Sequence, residues 1–391
     1  MSKYFIVNPG SASKKYALYS GGDELFTIHF ESEDGKIITT IHTGNKTEKS
    51  VVSNTEYSSS IKYTLEKLAE TKVITDKSEI SGVGVRIVAP GNYFLINKII
   101  NDEYVAKLQE ARQRAPLHIK PAEKEIEQLK SVLPEVPLAA VSDSAFHATL
   151  PPQARFYNLP QETAEKFGIY RFGYHGISAQ SVLFKIEKLL GDIPSKIIIC
   201  HLGSGSSLHA VKDGTGFDTT MGFTPLEGLT MGTRIGNIDA GAVLFLLQES
   251  GMSPAELEGY FNTKCGLLGL SGKTPDIREL IELEKAGDAN AKIALDALTY
   301  SVRKYIGAYT AALDGLNLLV FTATIGERSS IMRERICRGL GSLGITIDEG
   351  KNNETVSRDG FIEKEGSPVK VAVIATDEMG QMAQETARVL A

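Results

Sequence analysis

Five side chains of this 391-residue sequence could act together on a phosphate-like anion: Arg86, Asp143, His175, Arg234 and Glu378. Arg86 follows the run Ile80-Ser81-Gly82-Val83-Gly84-Val85, and Arg234 stands in Met231-Gly232-Thr233-Arg234-Ile235-Gly236. In both places glycines let a ligand approach the backbone. Asp143 follows an apolar run in Val141-Ser142-Asp143-Ser144, and Glu378 comes shortly after Val371-Ala372-Val373-Ile374. Acids at such strand ends are where α/β sheets present metal ligands. His175, between Tyr174 and Gly176, could hydrogen-bond a phosphoryl oxygen. Phosphoryl transfer asks for this set, because the protein's work there is placement and charge rather than covalent chemistry.

Each of these residues also has a structural reading. A strand-end arginine serves surface ion pairs, Asp143 and Glu378 could cap helices, and a lone histidine could be a satisfied loop residue. Two glycine-serine turns, at Gly10-Ser11 and at Gly203-Ser204-Gly205, offer backbone N–H groups and hydroxyls to phosphate oxygens. The same residues build any tight hairpin.

These residues need elements to place them. Tyr4-Phe5-Ile6-Val7 meets the first turn and continues as Tyr16-Ala17-Leu18-Tyr19; Ile197-Ile198-Ile199-Cys200 meets the second and continues as Leu208-His209-Ala210-Val211. The two strand-turn-strand units lie 193 residues apart, near half the chain. A second pair, Ala139-Ala140-Val141 before Ser142-Asp143-Ser144 and Leu319-Val320-Phe321 before Thr322-Ala323-Thr324, has nearly the same offset. The economical reading is a duplicated α/β lobe; chance likeness of two hairpins is the alternative. Apolar residues at three- and four-residue intervals predict helices over 60–71, 102–113, 121–132 and 291–313. Residues 21–58, rich in Thr, Ser, Glu and Lys, read as a peripheral antiparallel extension.

The length suits two domains with a cleft between them, and 42% apolar with 23% charged residues suits a soluble enzyme. A net charge of −6 without a basic cluster argues against nucleic acid or an anionic membrane as partner. Cys200, Cys265 and Cys337 are too few and scattered for a disulfide framework or zinc site. No apolar run approaches a membrane span, and residues 1–10 lack signal-peptide regions, so the expected location is cytoplasmic.

Taken in order, these segments resemble the acetate kinase family, part of the acetate and sugar kinase, heat-shock and actin superfamily. The longest match is the stretch Asp218-Thr219-Thr220-Met221-Gly222-Phe223-Thr224-Pro225-Leu226-Glu227-Gly228-Leu229-Thr230-Met231-Gly232-Thr233-Arg234. Ala115-Pro116-Leu117-His118, Asp143 to His147 and Lys264-Cys265-Gly266-Leu267-Leu268-Gly269 agree with it.

The resemblance implies an actin-like ATPase fold of two ribonuclease-H-like lobes around a central cleft. The expected lobes are residues 1–148, with a helix at 378–391 packing back on them, and residues 149–377, with the nucleotide site and a homodimer interface. It implies an enzyme that moves a phosphoryl group reversibly between ATP and acetate, giving ADP and acetyl phosphate, with Mg²⁺ or Mn²⁺. Asn8, Ser11, Ser13 and Lys15 would lie beside the phosphate, and Asn8, Asp143 and Glu378 would hold the metal. Arg86 and Arg234 would clamp carboxylate and phosphoryl oxygens, and His175 would stabilise the phosphoryl in flight. Val88, Leu117, Tyr174 and Pro225 would form the acyl pocket. His201, Gly203, Ser204, Gly205, Asp276, Arg278, Ala323, Thr324, Ile325 and Gly326 would take the nucleotide.

Several positions depart from the family pattern. Tyr174 replaces a usual phenylalanine, placing a hydroxyl near the pocket, and Ser204 replaces an asparagine. Phe321-Thr322-Ala323-Thr324-Ile325-Gly326-Glu327-Arg328 replaces a stretch with two glycines at 323 and 324 and an asparagine at 328. Ile235 and Asn237 replace a serine and an aspartate. These changes leave three further readings open: a kinase for propionate or another short acid, one using pyrophosphate or another donor, and a non-catalytic actin-like nucleotide-binding protein.

Overall fold

Short β-branched and aromatic runs punctuated by glycine, alternating with amphipathic segments, assemble into two mixed sheets with helices against them. The computed structural model describes residues 1–391 except 11, 12 and 34 and the side chains of 116–118. Ser11 and the Leu117 side chain therefore lie outside the described residues. The chain forms two compact units, Met1–Ala145 with Asp377–Ala391, and Phe146–Thr376.

The first unit carries β1 (Lys3–Pro9), β2 (Ser13–Ser20), β3 (Asp23–Glu33), β4 (Lys36–Thr43), β5 (Lys46–Val52), β6 (Ile80–Ile87), β7 (Lys98–Ile99) and β8 (Leu138–Ser142). Their order in the sheet is β5-β4-β3-β2-β1-β6-β8-β7. β1 to β5 form an antiparallel meander, and β1, β6 and β8 run parallel. The helix Glu378–Leu390 covers β1, β6 and β8. Gly82 and Gly84 in β6 make room for it, since a Cβ at either would overlap Leu390 Cδ1 or Thr386 Oγ1.

The second unit carries β9 (Lys196–Leu202), β10 (Ser206–Lys212), β11 (Thr215–Thr219), β12 (Leu318–Thr322), β13 (Gly360–Phe361) and β14 (Lys370–Val373), in the order β11-β10-β9-β12-β14-β13. One apolar cluster, with Ile198, Leu208, Leu298 and Phe321, packs one face of this sheet; another, with Ile197, Ile199, Val182 and Val320, packs the other. The long helix Ala289–Ala312 contributes Leu295, Leu298 and Val302 to the first.

The sheets share one plan: an antiparallel trio followed by two parallel strands, β3-β2-β1-β6-β8 and β11-β10-β9-β12-β14. β1 and β9 begin 193 residues apart, as do β2 and β10, so the first repeat in the sequence is a structural one. The second is not. β8 is the fifth strand of its plan and β12 the fourth, so β8 matches β14 and β12 matches β6. Both β8 and β12 end in a small polar residue, Ser142 and Thr322, and that pattern alone does not number them.

The helix predicted from Pro121 begins at Pro116, with Pro121 inside it. A proline fits the first turn but does not mark which first turn. The remaining predicted helices fall at Ser60–Glu70, Asp102–Ala111 and Ala289–Ala312. Cys200, Cys265 and Cys337 are free and buried, and among the described residues no helix is long and apolar enough to cross a membrane.

Candidate active site

At the carboxyl end of the first unit's parallel strands, one cation gathers three oxygen-bearing side chains. Arg86, in β6, donates from Nη2 to Asp143 Oδ2 at 2.9 Å and from Nη1 to Asn8 Oδ1 at 3.4 Å; Glu378 Oε2 lies 3.9 Å from Nη1. The backbone places them: Asn8 ends β1, the Asp143 N–H donates to Ile87 O, and Glu378 opens the helix over β6. Asp377 caps that helix by accepting from the Gly380 N–H, so Glu378 is free of the capping role. Burial works against the charge on Arg86, but Asp143 and Glu378 outweigh it and raise its pKa. Arg86 Nε is buried with no hydrogen-bond partner among the described residues.

Asn8, Asp143 and Glu378 are hard oxygen donors, which suits Mg²⁺. No three His, Cys, Asp or Glu side chains among the described residues could hold a metal alone. Mg²⁺ held by these residues would supply positive charge beside a phosphate and would take further oxygen ligands from water or substrate. Lys15 pairs in register with Asn8, and Ser13 opens β2. Lys14, which the sequence did not single out, is a buried structural cation: its Nζ lies 2.7 Å from Glu125 Oε1 and donates to Ser60 Oγ. Val88, just past β6, is half-buried.

In the second unit the long signature stretch wraps around Arg171. This guanidinium donates to the carbonyls of Thr219, Thr220 and Met221 and to Glu227 Oε1 at 2.6 Å. Tyr157 donates to Glu227 and accepts from the Phe223 N–H. Asn237 accepts from the Gly228 N–H and donates to Tyr305, so its difference from the family serves the loop's own structure. On either side of Arg234, Thr233 O accepts from the Cys265 N–H and the Ile235 N–H donates to Phe261 O. A Cβ placed on Gly205 would lie 3.0 Å from Arg234 Nη1 and 3.5 Å from His175 Nε2. Both groups thus border the second glycine turn, which runs from β9 to β10.

His175 itself sits at φ 59°, at the start of the helix Gly176–Leu190, and its ring stacks on His201 with centroids 4.1 Å apart. Tyr174 is buried, and its hydroxyl donates to Phe223 O at 2.8 Å. Pro225 is buried in the same loop.

A cavity of about 560 Å³ opens beside the second glycine turn. Gly203, Ser204, Asp276, Arg278, Thr324 and Ile325 line it, together with Arg328, which the sequence reading noted without a role. Asp276 caps the helix Ile277–Lys285, and Arg278, a hydrogen-bond donor to it, lowers its pKa. Ala323, where the family has glycine, adopts φ 63°, a conformation glycine takes without cost. Its N–H is held by Glu327 Oε1 at 2.8 Å, and the same oxygen accepts from the Thr376 N–H at 3.0 Å. Gly326 packs against Phe321 and Cys200, too close for a side chain to enter freely. From behind, the buried Arg333 donates to the carbonyls of Gly326 and Glu327 and to Asn352 and Thr355; burial pushes its pKa down to about 10. Glu327 and Arg333 position this segment, yet their partners Thr376, Asn352 and Thr355 lie too far along the chain for spacing to reveal them.

The model of the acetokinase family matches residues 3–384. Acetate kinase of Bacillus cytotoxicus is 39% identical over 393 residues, covering 99% of both chains. Among solved structures, acetate kinase of Porphyromonas gingivalis has a TM-score of 0.89 at 33% identity, and a propionate kinase of Francisella tularensis has 0.91 at 33%; both cover 100% of each chain. The two sheets are thus those of an actin-like ATPase fold, and the chain belongs to the acetokinase family, kinases whose acceptor is a carboxylate.

Proposed function

We propose that this enzyme transfers a phosphoryl group reversibly between ATP and acetate. The observation that carries the reading is Arg86: a guanidinium held by Asp143 at one nitrogen while its buried Nε has no partner among the described residues. A buried donor left unmatched is costly, and an anionic oxygen is the group that would satisfy it. Arg86 and Arg234 bind carboxylate and phosphoryl oxygens, and His175 adds a hydrogen bond as charge shifts during in-line attack by the carboxylate. Val88, Leu117, Tyr174 and Pro225 would take the acyl tail. Mg²⁺, held through Asn8, Asp143 and Glu378, would neutralise charge on the phosphates. The nucleotide takes the cavity beside Gly203–Gly205, with Ser13, Lys15 and His201 near its phosphates.

The test is acyl hydroxamate formation by purified protein with Mg²⁺, ATP and hydroxylamine. Acetate should give product; silence with acetate, propionate and butyrate alike would end the proposal. Propionate is the second acceptor to compare, because a propionate kinase is among the close structural relatives. Val88 favours the shorter acid, although one methylene is worth only about 1–3 kcal/mol. Thr324 and Arg328 project side chains at the nucleotide cavity, so pyrophosphate belongs in the same assay as donor. We further propose a homodimer formed through the second unit, and a cytoplasmic location.

A further inference from the structure

Four of the seven histidines form one series inside the second unit. His147 stacks on His209, with ring centroids 5.1 Å apart and planes 12° apart. His209 Nε2 lies 2.9 Å from Ser207 Oγ, and the same Oγ lies 2.9 Å from His175 Nδ1. His175 in turn stacks on His201. A serine hydroxyl has one proton, so it can donate to only one of its two rings and at least one ring must donate to it. The protonation of His175 and that of His209 are therefore tied together.

Two arrangements keep the hydroxyl proton within the series; if both rings donated to Ser207, His175 would carry its proton on Nδ1, as in the second of them. In one, His209 Nε2–H donates to Ser207, and Ser207 donates to His175 Nδ1, leaving the proton of a neutral His175 on Nε2. In the other the direction reverses: His175 Nδ1–H donates to Ser207, Ser207 donates to His209 Nε2, and His209 Nδ1–H points at Thr219 Oγ1, 3.4 Å away. His209 is completely buried, and burial, with His147 and His201, holds its pKa well below the ordinary value, so it carries one proton.

What His175 faces decides between them. Its Nε2 and Arg234 Nη1 border the same small space beside Gly205. A neutral His175 in the reversed arrangement would turn a lone pair toward any anion bound there. In the first it turns an N–H. We propose that Ser207 and His209 are positioning residues that hold His175 as its neutral Nε2–H tautomer, a fixed donor to the anion that Arg234 binds. This rests on the reading of His175 and Arg234 as phosphoryl-binding groups.

The tautomer is measurable without turnover. In ¹⁵N-histidine-labelled full-length protein at neutral pH, with His175 assigned by loss of its signals in His175→Gln, long-range ¹H–¹⁵N spectra should show a protonated Nε2 and a bare Nδ1. Ser207→Ala should mix the tautomers and lower kcat by about tenfold, while KM for acetate changes by less than about twofold. His209→Gln, whose side-chain amide can donate to Ser207, should restore most of what His209→Leu loses. A wild-type His175 protonated on Nδ1, alone or together with Nε2, overturns the proposal, as does a pure Nε2–H tautomer with full kcat in Ser207→Ala. Full turnover in His175→Ala would instead defeat the active-site reading, leaving the spectrum to judge the relay.

Discussion

Arg86 shows how one side chain is made into a binding group. Its guanidinium is fixed by Asp143, approached by Asn8 and Glu378, and has a buried Nε unmatched by the described residues. Arg86→Gln should lower kcat by about 10²- to 10³-fold in the hydroxamate assay, the usual effect of losing one charge-stabilising donor. Asp218 offers a test of stability. Burial pushes its pKa up to about 6, against the hydrogen bond it accepts from the Thr219 N–H. An unfolded aspartate titrates near 4, so the folded state binds the proton more tightly. Stability is then lost as pH rises from about 4 to about 6, and the deficit persists above. Asp218→Asn should raise the unfolding free energy by about 2 kcal/mol at neutral pH in denaturant titrations, a gain that vanishes near pH 4. Arg86, Asp143 and Glu378 were legible in the sequence because charged residues at the ends of apolar strands are conspicuous. The Ser207 and His209 contacts were not, since His209 looks like one position of an ordinary strand until His147, His175 and Thr219 are brought to it from other elements.

At the scale of elements, the segment from Thr322 to Arg328 opens with a backbone position that suits glycine. Ala323 takes a left-handed conformation that costs an alanine about 1–2 kcal/mol. Glycine there would lose some of that gain through its freer unfolded chain. Ala323→Gly should therefore stabilise by about 0.5 kcal/mol, seen as a small rise in Tm; a fall would show that the Cβ packs usefully against its neighbours. The strand-turn-strand repeat was readable because hairpin glycines recur with fixed spacing. The numbering of the parallel strands was misread because Val141 and Phe321 sit in equally buried, equally short runs whose neighbours only the folded sheet reveals.

At the scale of the whole molecule, one surface of the second unit is conspicuously apolar. The helix Ala240–Glu249 has no buried residue, and Leu244 and Phe245 are 60% and 63% exposed. Such a face on a single chain favours self-association, in keeping with the proposed homodimer. Phe245→Glu should convert dimer to monomer in sedimentation equilibrium; an unchanged mass would place the contact elsewhere.

The closing helix of the first unit comes from the far end of the chain. Glu378–Leu390 supplies one wall of the β6 core, and its first residue completes the surroundings of Arg86, yet 231 residues of the second unit intervene, from Phe146 to Thr376. During synthesis the first unit must wait, with β6 uncovered, until the whole second unit has been made, while the second unit has all its residues sooner. Loss of the helix Glu378–Leu390 would therefore damage the part of the enzyme made first, and nascent chains should need protection at β6 more than at β12.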